Sequence, residues 1–380
     1  MKLEMTLLSA VVIAVLVLLP LAKPVDMEAG EIPQLNLELT GVPWGSGQGM
    51  FYEDSLWRGG DCASSVDIGD GRVLWLFADS YVGIKPPYVR DICCVTMIRN
   101  CLGIQTGYDP STAGFTVYWR GTGETPRAYF PADDSSWYWP GNAVKIDSLL
   151  VVFLMHICRG DTDLGFQECG HQPHAAYVVS GIERDPLEWV LVPLILPANA
   201  YGIMLGAATY LDPPYLFLLS VDVKDPGIGS MYLARWHTDS LLNGSAGTLE
   251  WWAGDSRAWV SDSELTSVPT AIFDKGATEF SVIYDDETDQ YIAVQAVGFG
   301  AADIMIRTAP ALTGPWSGLQ LVYEPPEKSD SEIMIYAAKA HSWASGSGLA
   351  ITYNTNGPVE RIIADTTVYY PRLVKLNRVE

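Results

Sequence analysis

The chain has 380 residues, 48% of them apolar and 18% charged, with 13 Trp and 19 Tyr, a composition that excludes disorder over most of its length. Lys plus Arg number 23 against 45 Asp plus Glu, a formal charge of −22. So acidic a chain is not a nucleic-acid binder, which needs cations to displace phosphate counterions, and it does not dock on anionic lipid through basic residues.

In chain order, Met5 to Ala22 is an uncharged stretch of 18 residues containing LLSAVVIAVLVLL. It reads as the hydrophobic region of a secretory signal. Pro20 makes a poor cleavage site, and the length just suffices to span a bilayer, so an uncleaved N-terminal membrane anchor is the second reading. Residues 1–30 are assigned to that signal or anchor, and 31–380 are expected outside the cell or at its surface. Without residues 1–30 the charge is 21 − 42 = −21, so the exported part carries the acidity. The six Cys (Cys62, Cys93, Cys94, Cys101, Cys158 and Cys169) suit an oxidising compartment. Cys158 and Cys169 flank the short segment RGDTDLGFQE and are the expected disulfide. A zinc site with His156, His171 and His174 competes, although no C-x2-C spacing supports it. Asn243-Gly244-Ser245 is a glycosylation sequon.

After Ala22 the pattern is short apolar runs broken by Gly, Pro, Asp and Asn, which predicts an all-β fold. The runs recur. RVLWLFADS (72–80), SLLVVFLMH (148–156), PYLFLLSVD (214–222), QYIAVQAVG (290–298) and GLAITYNTN (348–356) read as the second strand of five successive units. Three units share a later edge: DPLEWVLVPLIL (185–196), DSLLNGSAGTLEWWAG (239–254) and APALTGPWSGLQLVY (309–323). Five repeated four-stranded sheets predict one five-bladed β-propeller over residues 31–380. Residues 31–52 supply closing strands or a loop at the entrance. In such a ring the inner strands line a channel, and its concave mouth is the default ligand site.

The first unit, DSLWRGGDCASSVDIGDGRVLWLFADSYVG (54–83), puts Asp61 after two Gly at the start of the predicted inner strand. That makes it a functional candidate at the channel mouth. Asp79 ends the apolar second strand, where an Asp is costly to bury unless bonded or functional. It reads either as a turn cap or as a site residue.

These residues carry a resemblance. W-x-G-G-D-x-A-x-S-V followed by D-G-R-x-L-W-L-F-A-D-S resembles the opening of a glycosidase-like five-bladed propeller family long carried as a domain of unknown function. MIRNCLGIQ (97–105) resembles its R-N-S segment with Cys101 for Ser, WYWPGNAVKIDSLLVVF (137–153) its W-P-G-D-G segment, and YAAKAHSWASGSGLAITYNTN (336–356) its last-blade segment. The match runs in order over most of residues 54–370. Some members of that family are endo-acting D-arabinofuranases, and the wider fold is shared with arabinanases, β-xylosidases and fructosidases.

The resemblance implies glycoside hydrolysis by two carboxyl groups, one protonating the leaving oxygen and the other attacking the anomeric carbon or activating water. It makes Asp61 the base or nucleophile. Glu279, which begins the fourth unit at the equivalent position, becomes the acid. Asn142 stands where the family often has Asp, a position that orients the acid in related propellers; the amide cannot supply that charge, which keeps a non-catalytic glycan-binding or scaffold propeller as the alternative. Asp79, Arg99, Asn100, Trp139, Asn142, Lys339, His341 and Asn354 are the expected substrate contacts, on a polysaccharide or oligosaccharide. Packing or turn roles remain open for Trp139, His341 and Asn354, an ion pair for Arg99, and for Glu279 the role of an inward polar residue bonded to backbone amides. No cofactor and no catalytic metal are expected; a structural calcium ion in the channel is left open. The sequence has no G-x-S-x-G elbow, H-E-x-x-H or P-loop, which removes esterases, zincin proteases and nucleotide enzymes.

Overall fold

Every apolar run read as a second strand is one: Arg72–Gly83, Leu149–Arg159, Tyr215–Asp222, Gln290–Ala296 and Leu349–Asn356. The computed structural model describes residues 37–83, 90, 95–133, 135–161, 166–169, 174–196, 201–222, 228–243, 245, 247–297, 300–344 and 349–379. The export segment, Cys93, Cys94, His171 and Gly244 of the sequon lie outside the described residues. The second strands are near-continuous apolar runs because both faces are covered by neighbouring sheets; Leu150 through Leu154, for instance, are all buried.

Each second strand pairs antiparallel with an inner strand: Trp57–Gly69, Ser136–Ile146, Ile203–Asp212, Phe280–Asp285 and Met334–His341. The inner strands touch one another in ring order, and the fifth returns to the first. Third strands follow on the outer side, and the predicted edges supply the fourth strands Val190–Leu194, Glu250–Trp252 and Gln320–Tyr323. The fold is therefore the expected five-bladed propeller. The fifth sheet takes its outer strand from the other end of the chain: Leu39–Pro43 pairs with Arg372–Arg378, Leu39 opposite Arg378. That pairing covers a sheet edge and fastens the ring.

An apolar cluster fills each seam between blades. Aromatic side chains do much of the filling, with Trp57, Trp75, Trp236 and Trp251 all fully buried. The disulfide Cys158–Cys169 is present, closing the extension of the second blade. The zinc alternative gives way to it: His156 lies beside the two sulfurs, but a sulfur bonded to sulfur is not a thiolate ligand.

Four inner strands are bulged at a similar level. Register shifts occur around Gly60–Ser64 in the first blade, between the partners Phe153 and Leu154 in the second, between Met204 and Ala208 in the third, and between Tyr336 and Lys339 in the fifth. Cys62 (φ 73°), Ala63 (φ 52°) and Ala337 (φ 55°) adopt left-handed backbone without being glycine, a strained conformation that persists only where its surroundings enforce it. A bulge re-aims the side chains beside it, and these bulges turn side chains of the inner strands toward the channel mouth. Gly59 is required for a different reason. A Cβ there would lie 2.2 Å from the Tyr369 carbonyl oxygen.

Candidate active site

The mouth cluster is built from the bulged strands. Asp61, just before the bulge at Cys62, accepts a hydrogen bond on Oδ2 from the Tyr336 hydroxyl at 2.7 Å. Tyr336 sits just before the fifth-blade bulge, the equivalent place on its own strand. The other Asp61 oxygen, Oδ1, is sealed from solvent and has no partner. A buried unpaired oxygen costs far less on a neutral carboxyl than on a carboxylate. Burial, followed by the charges of Asp79 and Glu279, pushes the Asp61 carboxyl up to about 8, against smaller opposing effects of the Tyr336 hydrogen bond and Lys339.

Asp79 is held on both oxygens. Arg99 donates to Oδ2 at 2.9 Å and the Trp139 indole N–H to Oδ1 at 2.9 Å. Burial raises its carboxyl despite the nearby Arg99 guanidinium and the two hydrogen bonds. The Arg99 guanidinium also stacks over Trp137, 4.3 Å from the ring centre. Trp139 packs edge-on against Phe166 at 5.0 Å and Trp137 at 6.1 Å. Arg99, Trp137, Trp139 and Phe166 thus form an aromatic platform with a cation at its rim, attached directly to the Asp79 carboxylate.

Glu279 immediately precedes the fourth inner strand and pairs with Lys339, Nζ to Oε1, at 3.2 Å. Lys339 is itself buried, with its ammonium also on the Cys62 carbonyl at 2.7 Å and on the Ala337 carbonyl at 3.5 Å. Burial opposes the ammonium charge, but the Cys62 thiol, Glu279 and Asp61 outweigh it and raise Lys339 above the usual lysine range. Asp61, Glu279, Asp79 and Lys339 therefore form one electrostatically coupled group, as the pairing of the first and fourth units anticipates.

Other expected contacts are spent inside the protein. Both N–H groups of the Asn100 amide are donated, to the carbonyls of Phe130 at 3.1 Å and Tyr138 at 2.9 Å, and its Oδ1 accepts from the Phe130 N–H at 2.7 Å. With every strong position used and no exposure, it fixes a loop and does not reach a sugar. Asn354, equally buried, donates to the Gly60 carbonyl at 3.4 Å. His341 uses both ring nitrogens: Nδ1 meets the Ser65 hydroxyl at 2.6 Å and Nε2 the Thr352 hydroxyl at 2.8 Å. Ser65 also accepts the Trp343 indole N–H at 2.8 Å. Burial, and secondarily the charge of Lys339, depresses the imidazole to about 3. His341 is a neutral tie between the fifth and first blades. The Lys339 ammonium, too, is engaged with three internal acceptors.

Asn142 occupies the inner strand of the second blade, its Oδ1 accepting from the Ala143 N–H at 2.9 Å and the Thr209 hydroxyl at 3.2 Å. It borders a channel cavity of about 400 Å³ that also touches Ser64, Thr209, Ser281 and Lys339. Two oxygens on the cavity wall are engaged within the protein: Asn142 Oδ1, and Ser281 Oγ, which accepts the Ala340 N–H at 2.6 Å.

Tyr336 is the partner of Asp61 that the sequence reading missed. A tyrosine inside an apolar strand reads as packing, but its place beside the last-blade bulge mirrors that of Asp61 in the first.

The family model described as Domain of unknown function (DUF5005) matches residues 48–375. The chain belongs to this family. The DUF5005 chain is similar in fold to a candidate hydrolase from Bacteroides ovatus ATCC 8483, at a TM-score of 0.68 and 16% identity, with 91% of this chain and 93% of the other covered. More distant likenesses include the GH43 protein BlXynB from Bacillus licheniformis (TM-score 0.47, 12% identity, covering 90% of this chain and 54% of that one). Another is an endo-arabinase from Bacteroides thetaiotaomicron VPI-5482 (TM-score 0.44, 12% identity, 85% and 94% covered). No curated protein matches the chain.

Proposed function

We propose that this DUF5005 propeller is an exported glycoside hydrolase acting on an arabinofuranose-containing or related extracellular polysaccharide. The observation that carries the reading is the pair Asp61 and Glu279, which come from the first and fourth blades and are linked at the channel mouth by one buried ammonium bonded to Glu279 and to the carbonyl of Cys62, the neighbour of Asp61. Two carboxyl groups in unlike environments are what acid-assisted glycoside cleavage needs.

The environments exchange the roles expected from the resemblance. Asp61, whose proton affinity burial and the neighbouring carboxylates raise, serves as the acid that protonates the leaving glycosidic oxygen. Glu279, ion-paired with Lys339, serves as the carboxylate that attacks the anomeric carbon or takes the proton of the attacking water. Asp79 is the third carboxylate. Its charge contributes to holding the proton on Asp61, the task for which Asn142 lacks a charge. Arg99 and the faces of Trp137 and Trp139 receive the sugar. Chemistry of this kind requires no cofactor, and the chain's own carboxyl groups carry each proton.

The test is release of reducing sugar from a panel of arabinan, arabinogalactan and other cell-wall glycans. Turnover by the wild type that is lost in Asp61→Asn and in Glu279→Gln supports hydrolysis. The half-buried aromatic platform around Trp139 favours a second reading, a glycan-binding propeller. Binding without turnover, weakened by Trp139→Ala and indifferent to Asp61→Asn, supports that one instead.

A further inference from the structure

We propose that Lys339 is a positioning residue, an internal cation that holds Glu279 in place by bonding it to the two strained bulges where the ring closes. The inference rests on the glycosidase reading for its catalytic consequence, but its geometry is independent of that reading. An ammonium has three N–H donors, and Lys339 has three acceptors. The Cys62 carbonyl belongs to the first-blade bulge, the Ala337 carbonyl to the fifth-blade bulge, and Glu279 Oε1 to the start of the fourth blade.

The side chain is 1% exposed and Glu279 12%. An ion pair so placed is expensive to desolvate and repays that cost only with well-formed hydrogen bonds. A hydrophobic residue would fill the space at lower cost, so stability alone is a weak reason for a lysine here. What an ammonium adds is direction. One atom fixes the Glu279 oxygen relative to the peptide that follows Asp61, because the bonded carbonyl is that of the very next residue, Cys62. The spacing of the two carboxyl groups is thereby set by backbone, not by a mobile side chain, and small displacements of a reacting group are costly to rate. The strain at Cys62 and Ala337 has the same explanation. Their left-handed backbone turns both carbonyls onto one cation.

The charged and titratable groups facing the ammonium come from three blades: Asp61 and the buried Cys62 thiol from the first, Glu279 from the fourth, and His341 from its own strand. Burial holds the Cys62 thiol up at about 12 and the imidazole down at about 3, so both stay neutral between pH 5 and 9. A pH effect of removing Lys339 in that range therefore reports on the carboxyl groups.

Two measurements test the proposal separately. The first needs no substrate: thermal unfolding of the wild type, Lys339→Met, Glu279→Gln and the double variant at pH 7. A true tie gives strong coupling, with Lys339→Met much more damaging when Glu279 is present than when Gln replaces it; equal damage in both backgrounds overturns the proposal. The second is the pH–rate profile on whichever glycan the wild type cleaves. Lys339→Met is expected to lower kcat by ~100-fold with KM nearly unchanged and to move the acidic limb to higher pH, while Lys339→Arg restores part of the rate. A folded Lys339→Met with the wild-type profile overturns the proposal. If the wild type cleaves no glycan, the hydrolase reading fails, and the unfolding cycle still decides whether Lys339 ties Glu279 to the bulges.

Discussion

The seam between the second and third blades and the seam where the fifth blade meets the first have the same scaffold and opposite chemistry. The former is apolar throughout its core: Val151, Phe153, Leu216, Leu218 and Trp236 interdigitate, with the rings of Phe153 and Trp236 stacked at 6.1 Å. The latter has an aromatic cluster on its outer part, but near the channel it is stitched by polar bonds: His341 to Ser65, Trp343 to Ser65, Lys339 to Cys62, Asn354 to Gly60 and Tyr336 to Asp61. Apolar burial is non-directional and tolerates small shifts, whereas buried hydrogen bonds fix atoms in place at the risk of leaving groups unpaired. The core of the second–third seam thus serves mainly cohesion, and the channel side of the fifth–first seam serves precision. Asp61 stands at that fifth–first seam, and Glu279 is bonded to it from the fourth blade through Lys339.

Substitutions sharpen the contrast. The largest effect is expected at the polar seam and on rate: Asp61→Asn and Glu279→Gln should each lower glycan turnover by about 10²- to 10⁴-fold, the usual range for losing a general acid or base, measured as reducing-sugar release. The largest effect on stability belongs to the apolar seam. Phe153→Ala should cost about 3–5 kcal/mol in denaturant unfolding through transfer and cavity terms, equally at every pH. The same amount lost only at acid pH would mean that the seam is not purely apolar.

Asp61 gives a pH signature of defined sign. Its folded proton affinity, about 8, lies above its ordinary 3.8, so the native state binds the extra proton. The resulting stability is fully present below about pH 4 and is lost as pH rises toward 8. Asp61→Asn should therefore raise Tm at pH 8 more than at pH 5 while abolishing turnover. His341 runs the other way: its imidazole is depressed from 6.5 to about 3, so its contribution is present above pH 6.5 and is lost as pH falls toward 3. His341→Gln should flatten the acid side of the stability curve. The smallest effect is expected at Arg99, whose side chain is 42% exposed. Arg99→Ala should shift Tm little, since exposed ion pairs contribute at most about 1 kcal/mol, and should act mainly on KM.

The fold was legible because second strands covered on both faces leave uninterrupted apolar runs, and five such runs at similar spacing admit few architectures. The placing of Asp61 and Glu279 at the heads of inner strands was legible because the repeat aligns the first and fourth units. The partners of the polar seam were not. Lys339, His341 and Asn354 are polar residues beside the mouth in sequence, but their partners Cys62, Ser65, Thr352 and Gly60 lie on other strands, and a bulge at non-glycine residues leaves no mark in composition. Tyr336 was hidden for the converse reason, since an aromatic residue in a strand matches the pattern of a core. The role of each carboxyl group was likewise out of reach, because the environment that separates them is assembled from three blades.

The most direct test of the account is the pH dependence of glycan cleavage by the wild type beside Asp61→Asn. The account predicts turnover that falls as pH rises through about 8, where Asp61 loses its proton, and near-complete loss in the variant at every pH. Cleavage that persists undiminished in Asp61→Asn would contradict it.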